Sequence, residues 1–456
     1  MQFPRGAAAA LIALALAGSA DASRASAPSA ARVLAPGESV LQDGLTLVVR
    51  RATLSPTAAL QVWIVCPSSG YSTPKPGLAR LTALGIVASK VNGVSLREAV
   101  RAVGGELMVS VFPSSTEIAV LAPAGEVDAL ADTLLARVLH PVIDEAGFRE
   151  ARLRLAEQQQ IALNSADVVL RDGIFGNLFV DGPFHVSTYG TPNDLRSLTL
   201  VDTQGFTALA YVPDNEIVVA VGGGLDEAAM SERVGRAAPI PVSATTMPRS
   251  TEGKISSGPV PVGNADDAGV ALGWFGPPAT DKRTSTAMDF LSDYLTRADS
   301  GVVARAVKAS DPTATFSGQF ITLRDTGVFY MTVTGGTHTS AAMAEIMRAA
   351  VKPLLDAPMS RRDFARAIEM FRTHTLRDAQ TPQQLADNYG WYFAQGNTSY
   401  APSVTSLDLR GDYYAQVAAL TPRAIYDAAR TYLGSTPVTA TVAPRVQSPT
   451  TTSFLP

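Results

Sequence analysis

The chain has a single cysteine, Cys66, and four histidines, His140, His185, His338 and His374, in 456 residues. A lone thiol excludes an intrachain disulfide. No two histidines are close enough in sequence to share a helix face or a loop, so a local histidine-rich metal motif is absent. Charge is sparse and balanced: 37 Lys+Arg against 41 Asp+Glu give a net charge of −4, and charged residues make up 17% of the chain. That leaves no basic field for nucleic acid as a main partner. The hydrophobic share of 46% is far above that of a disordered chain, and the length has room for two large domains or three small ones. Beyond the extreme N-terminus no run is long and apolar enough to span a bilayer.

What is present begins with Arg5, an apolar run from Ala7 to Ala17, and the stretch Gly18 to Ser23. A basic start, a short apolar core and an Ala-x-Ala site at Ala20 to Ala22 read as a signal peptide over residues 1–22. No cysteine follows for lipid attachment. The expected location is periplasmic or secreted, the protein being soluble after cleavage. Residues 23–36, rich in Ala, Ser and Pro, read as a flexible lead-in. Cys66 ends the apolar run Leu60 to Val65 and reads as a small hydrophobe at a strand end, not a nucleophile.

From Gly44 onward strand-like and helix-like stretches alternate. Leu45 to Arg50 and Leu60 to Val65 are β-rich. Ser95 to Val103 has helical spacing and stops at Gly104-Gly105, a C-cap signal. Leu107 to Phe112 and Glu117 to Leu121 flank Pro113-Ser114-Ser115 as an antiparallel pair. Helices are expected at about 126–139 and 145–164. The segment from Thr199 through Phe206 and Tyr211 to the strand Glu216 to Val221 has an echo half a chain later, where Thr421 leads through Tyr426 and Tyr432 to Val438 to Val442. The second half is expected to hold a strand at Val270 to Phe275, a helix at about 281–297, strands near 313–334, and helices at about 339–355 and 360–378. The expected fold class is α+β, with two similar domains, each an antiparallel-rich sheet packed against helices. They cover 37–247 and 263–445, joined by a Gly/Ser/Pro-rich linker at 248–262, with a tail at 446–456.

Several of these residues occur in a recognisable order: Gly44 to Val49, Pro76-Gly77-Leu78-Ala79, Gly104-Gly105, Gly182-Pro183-Phe184 with Gly190-Thr191-Pro192, and Tyr211 to Asn215 before an apolar strand. In order and spacing, from about residue 37 to 445, the chain resembles the insulinase/pitrilysin zinc metallopeptidases. The resemblance implies paired α+β domains and dimers of identical or unlike subunits closing around a peptide chamber. It also implies an inverted motif, His-x-x-Glu-His, directly after Gly-Leu-Ala, in which two histidines bind zinc and the glutamate activates water. Here Arg80, Ala83 and Leu84 stand at those three positions. A guanidinium repels a cation, leucine has no ligand atom and alanine cannot take a proton. The third ligand, a glutamate on a downstream helix, falls at Gln158, with Glu157 one position before it. The family's peptide-holding asparagine falls at Met108, and its oxyanion-stabilising arginine and tyrosine fall at Lys308 and Thr315. These three are the candidate peptide contacts that remain. No cofactor is expected, with zinc only in a partner subunit.

Other chemistry has little support. His140 reads as a helix end, His185 as structural, His338 as a loop residue and His374 as a helix-face residue. Gly222-Gly223-Gly224 lacks the Lys-Ser/Thr of a phosphate loop and reads as a strand-end turn. No Gly-x-Ser-x-Gly elbow occurs where a strand meets a helix. Asp387 to Phe393 is an aromatic cluster on a helix, expected to pack a core or a domain interface. The leading reading is a catalytically inactive insulinase-like homologue that pairs with a zinc-bearing homologue, or with itself. Extended peptides could lie beside the strand Glu117 to Leu121. A scaffold or peptide-binding protein that needs no active partner is the alternative, as in the family-related core subunits of respiratory complexes. An active zinc endopeptidase with relocated ligands is the third.

Overall fold

The strand and helix patterns resolve, in a computed structural model that describes residues 38–40, 44–52, 54–238, 244–256, 258–396 and 412–445, into one architecture built twice. The first half runs β1 (Glu38–Val40), β2 (Thr46–Arg51), β3 (Thr57–Ile64), α1 (Leu78–Ala88), β4 (Lys90–Val91), β5 (Val94–Ser95), α2 (Leu96–Ala102), β6 (Glu106–Phe112) and β7 (Ser115–Pro123). It continues with α3 (Val127–Val138), α4 (Glu145–Asn164), α5 (Ala166–Leu178), α6 (Pro192–Ser197), α7 (Leu200–Ala210), β8 (Glu216–Gly222) and α8 (Glu227–Ala237). The second half runs β9 (Val260–Ala265), β10 (Gly269–Gly276), α9 (Lys282–Thr296), α10 (Val302–Ser310), β11 (Thr315–Ile321), β12 (Gly327–Thr334) and α11 (Ser340–Asp356). It ends with α12 (Arg361–Arg377), α13 (Pro382–Ala394), α14 (Asp412–Ala418), α15 (Pro422–Ala428) and β13 (Val438–Pro444).

Helix starts follow local chemistry. Ser95, Thr191, Thr199 and Thr381 each form a reciprocal capping box with the residue three positions on, and Asp144 caps α4 through the Gly147 amide. Gly104, at φ 72°, turns the chain out of α2 as its position after the helix requires.

The first sheet has the order β1-β2-β8-β3-β7-β6 and the second β9-β13-β10-β12-β11. In each, one early strand pairs parallel with the last (β2 with β8, β9 with β13), and the other pairings are antiparallel. The echo seen in the sequence is thus a structural repeat, with β8 matching β13.

The central strands β3 and β8 are buried almost from end to end because both faces of the first sheet are covered. One face, with Leu47, Leu60, Val62 and Val218, packs on α1, α3 and α4. The other, with Val48, Trp63, Val219 and Val221, belongs to a core shared with the second half. The covering helices are exchanged. The helix α13, from the second half, lies on β3 and β8, while α5, from the first half, lies on β9, β10, β12 and β13. The sequence reading placed no helix at α5 or α10.

The stretch 248–262 is tied to the first half: Val180 N–H donates to the Thr251 carbonyl at 2.9 Å, Phe179 bridges Glu252, and β9 already begins at Val260. The strand Glu117 to Leu121 cannot take a peptide by edge pairing, because it lies inside β7, flanked by β3 and β6. The edge on that side is β6. The leader and lead-in, residues 1–36, and the tail, 446–456, lie outside the described residues, apart from which no helix is long and apolar enough to cross a membrane.

Candidate functional site

The helix α1 starts where two loops touch. Gly77 has φ 87°, and a Cβ there would lie 2.9 Å from the Tyr189 carbonyl oxygen; Gly190, at φ 64°, would meet the Pro76 oxygen at 2.6 Å. Only glycine permits that approach at either position. The contact fixes the 188–191 loop over the first turn of α1. Gln159, on α4 and 2% exposed, anchors the same loop, its Nε2 donating to the Tyr189 and Thr191 carbonyls at 2.8 and 3.1 Å.

Arg80 fills the corner beneath this loop and is only 6% exposed. Its Nη2 donates to the Val111 carbonyl and to Thr188 Oγ1, each at 3.3 Å, and its guanidinium stacks 4.0 Å from the Tyr189 ring centre. Its Nε is buried with no hydrogen-bond partner, and Arg80 makes no ion pair among the described residues. Burial lowers its pKa first of all; Tyr189 opposes this, Arg171 adds to it and Asp172 opposes it. Ala83 and Leu84 are sealed in the core, at 0% and 3% exposure.

On α4, Glu157 faces solvent and Gln158 is half-buried with its Oε1 unpartnered. The glutamine turned into the packing is Gln159, one residue beyond the expected position. This donor set does not fit zinc: a guanidinium, two aliphatic side chains and an amide offer one weak neutral ligand and one repelling charge. Met108 lies on the edge strand β6, opposite Ala119. Lys308 ends α10 with its Nζ donating to the Pro312 carbonyl at 2.6 Å, and Thr315 opens the edge strand β11. No hydrogen bond joins these three to one another or to Arg80 among the described residues.

The histidines are spread over four separate contacts: His140 to the Ala237 carbonyl, His185 to the Phe179 carbonyl, His338 to Asp311 and His374 to Asp293. Among the described residues no group of three His, Cys, Asp or Glu side chains lies together. Cys66 is fully buried, and desolvation pushes its thiol up to about 12.

A second polar cluster escaped the sequence reading. Glu117, on β7 and 5% exposed, lies beside Ser110 and Asp387 of α13, with its Oε1 buried and without a hydrogen-bond partner. Asp387 also accepts from Gln61 at 2.6 Å and Gln383 at 2.7 Å, and Trp63 Nε1 donates to Gln61 at 2.8 Å. Burial raises both carboxyl pKa values, and the nearby Asp387 charge raises that of Glu117 further. The Gln61–Asp387 bond joins the two halves. The aromatic segment 387–393 therefore packs against the opposite sheet, with Trp391 edge-on to Trp63 and Phe112.

Fold and site together define a two-halved α+β protein in which a buried arginine fills the corner at the start of α1. Residues 198–371 match the model of the Peptidase M16 inactive domain. Among solved structures, a protease from Helicobacter pylori is similar at 18% identity and TM-score 0.76, over 89% of this chain and 99% of that one. The peptidase M16 inactive domain from Pseudomonas fluorescens is similar at 15% identity and TM-score 0.74, over 90% of this chain and 99% of that one. A chain of complex III2 from Candida albicans gives 12% and 0.72, over 89% and 95%. No curated protein matches by sequence. Residues 198–371 are thus similar to the M16 inactive domain, and the fold of the chain is that of these solved structures.

Proposed function

We propose that the protein is an exported, catalytically silent insulinase-like subunit that pairs with a zinc-bearing homologue and walls a chamber for extended peptides. The observation that carries this reading is Arg80: the position of a first metal ligand holds a buried guanidinium beside Ala83 and Leu84. A cation cannot share that corner with zinc, and no carboxylate stands there to activate water. The edge strand β6, beside the same corner, supplies main-chain groups for an extended peptide. Residues 1–22 supply the export signal, and the periplasm is the compartment. The test is bound zinc and peptide hydrolysis by the mature chain, alone and mixed with an intact homologue encoded nearby. The lone chain should carry substoichiometric zinc and show no turnover, and the mixture should exceed the homologue alone. Stoichiometric zinc with turnover by the lone chain would refute the reading.

One observation favours a scaffold that needs no active partner. Lys308 is committed to the Pro312 carbonyl, and Thr315 is too short to act on an oxyanion as tyrosine does. Unchanged turnover of the homologue on mixing would select this second reading.

A further inference from the structure

We propose that the corner made by the start of α1, the end of β6 and the 188–191 loop recognises a carboxylate, held by Arg80, on an extended peptide lying along β6. This rests on the peptide-enclosing reading and adds the chemistry recognised.

A guanidinium taken out of water is normally matched by a carboxylate. Arg80 has none: both its hydrogen bonds leave from Nη2 and reach neutral acceptors at 3.3 Å, and Nε is buried without a partner. The surroundings keep the positive potential. Arg171 and Asp172, 3.6 Å apart, largely offset each other, so the three charged side chains leave one net positive charge. The N-terminus of α1 has no acidic residue in its first turn and no side-chain cap, so its dipole adds to that potential.

The guanidinium is also pre-oriented. Its plane lies against Tyr189, in a loop held by Gln159 and by the Gly77–Gly190 approach. Binding therefore costs little ordering entropy. A carboxylate would replace the Thr188 hydroxyl as acceptor and satisfy Nε, turning a long neutral contact into a charge-assisted pair. One present acceptor, the Val111 carbonyl, belongs to the edge strand β6. A peptide added to that edge passes the guanidinium.

The test uses fluorescence anisotropy with a labelled peptide of alternating Val and Thr in three forms: C-terminal acid, C-terminal amide, and amide with one internal Glu. The mature chain should bind at least one carboxylate-bearing form about tenfold more tightly than the neutral amide, and NaCl should shrink the gap. Preference for the acid form identifies a chain terminus, and preference for the Glu form an acidic side chain. Arg80→Met should abolish the preference, so that the three forms bind equally, and Arg80→Lys should keep part of it. Should Arg80→Met fail to fold, a full preference in Arg80→Lys would count against the guanidinium fork. Equal binding of all three forms would overturn the carboxylate site while leaving the peptide reading in place. Binding of none would overturn both.

Discussion

At the scale of single residues, two of the buried ionisable groups have measurable consequences. Arg80 keeps a guanidinium in the core without a carboxylate. Arg80→Met, which retains the length of the stem, should stabilise the free protein by about 1–3 kcal/mol in urea unfolding, since replacing poorly compensated buried charge with apolar volume is neutral or favourable. Destabilisation would mean that the two long hydrogen bonds matter more than the desolvation. The acid pair Glu117–Asp387 behaves differently, because protonation relieves it. With the folded pKa of Glu117 raised to about 8, the native state holds a proton that the unfolded chain releases near pH 4.5. Stability is then full below that pH and is lost as pH rises towards 8. Glu117→Gln should flatten this profile and leave the variant more stable than the parent at pH 9, as read by chemical denaturation across pH. Cys66 makes the simplest expectation: a fully buried thiol pushed up to about 12 should resist iodoacetamide at pH 8 in the native protein and react on unfolding.

At the scale of elements, α13 approaches β3 closely at Gly390. A Cβ built at Gly390 would run into the Trp63 indole, whose Nε1 is already bonded to Gln61. Gly390→Ala should therefore destabilise by roughly 2–3 kcal/mol, even though alanine favours helices; calorimetry would show it as a lowered Tm. A neutral or stabilising result would mean that the helix can lift off the sheet without cost. The same element shows what was legible in the sequence. The helices from Leu96, Glu145 and Lys282 were readable to within a residue or two because Ser95, Asp144 and Asp281 cap them locally. The partners were not readable. An apolar stripe on α5 or α13 carries no mark of which sheet it will cover, and alternation along Glu117 to Leu121 does not say whether a strand lies at an edge or inside. At the candidate site, the resemblance drew attention to Arg80 and Leu84, but the stacking of Tyr189 on Arg80 and the hold of Gln159 on that loop arise only through the fold. The weak Gly190-Thr191-Pro192 signal marked their turn without revealing what the turn covers.

At the scale of the whole molecule, the exchange of α5 and α13 determines how the protein unfolds. Each sheet has one face closed by its own helices and the other closed by a helix from the opposite half. Neither half can leave without exposing a buried face: removing α13 uncovers Trp63, Val219 and Val221, and removing α5 uncovers the β10 face that carries Gly269, Ala271 and Gly273. Polar ties cross the same joint, with Arg50 donating to Tyr389 at 3.2 Å and Gln61 to Asp387 at 2.6 Å. Two domains on a linker would be expected to melt separately. A chain whose halves cap each other should unfold as one unit despite its two sheets. Scanning calorimetry should give a single transition with matching calorimetric and van't Hoff enthalpies. Tryptophan emission should fall in the same transition as far-UV dichroism, because Trp63 and Trp391 lie across the joint and Trp274 lies in the second sheet. Two resolved transitions would show that the exchanged helices undock before either sheet melts. Destabilising the joint by Gly390→Ala would then lower the first transition alone, whereas in a single cooperative unit it lowers the whole melt.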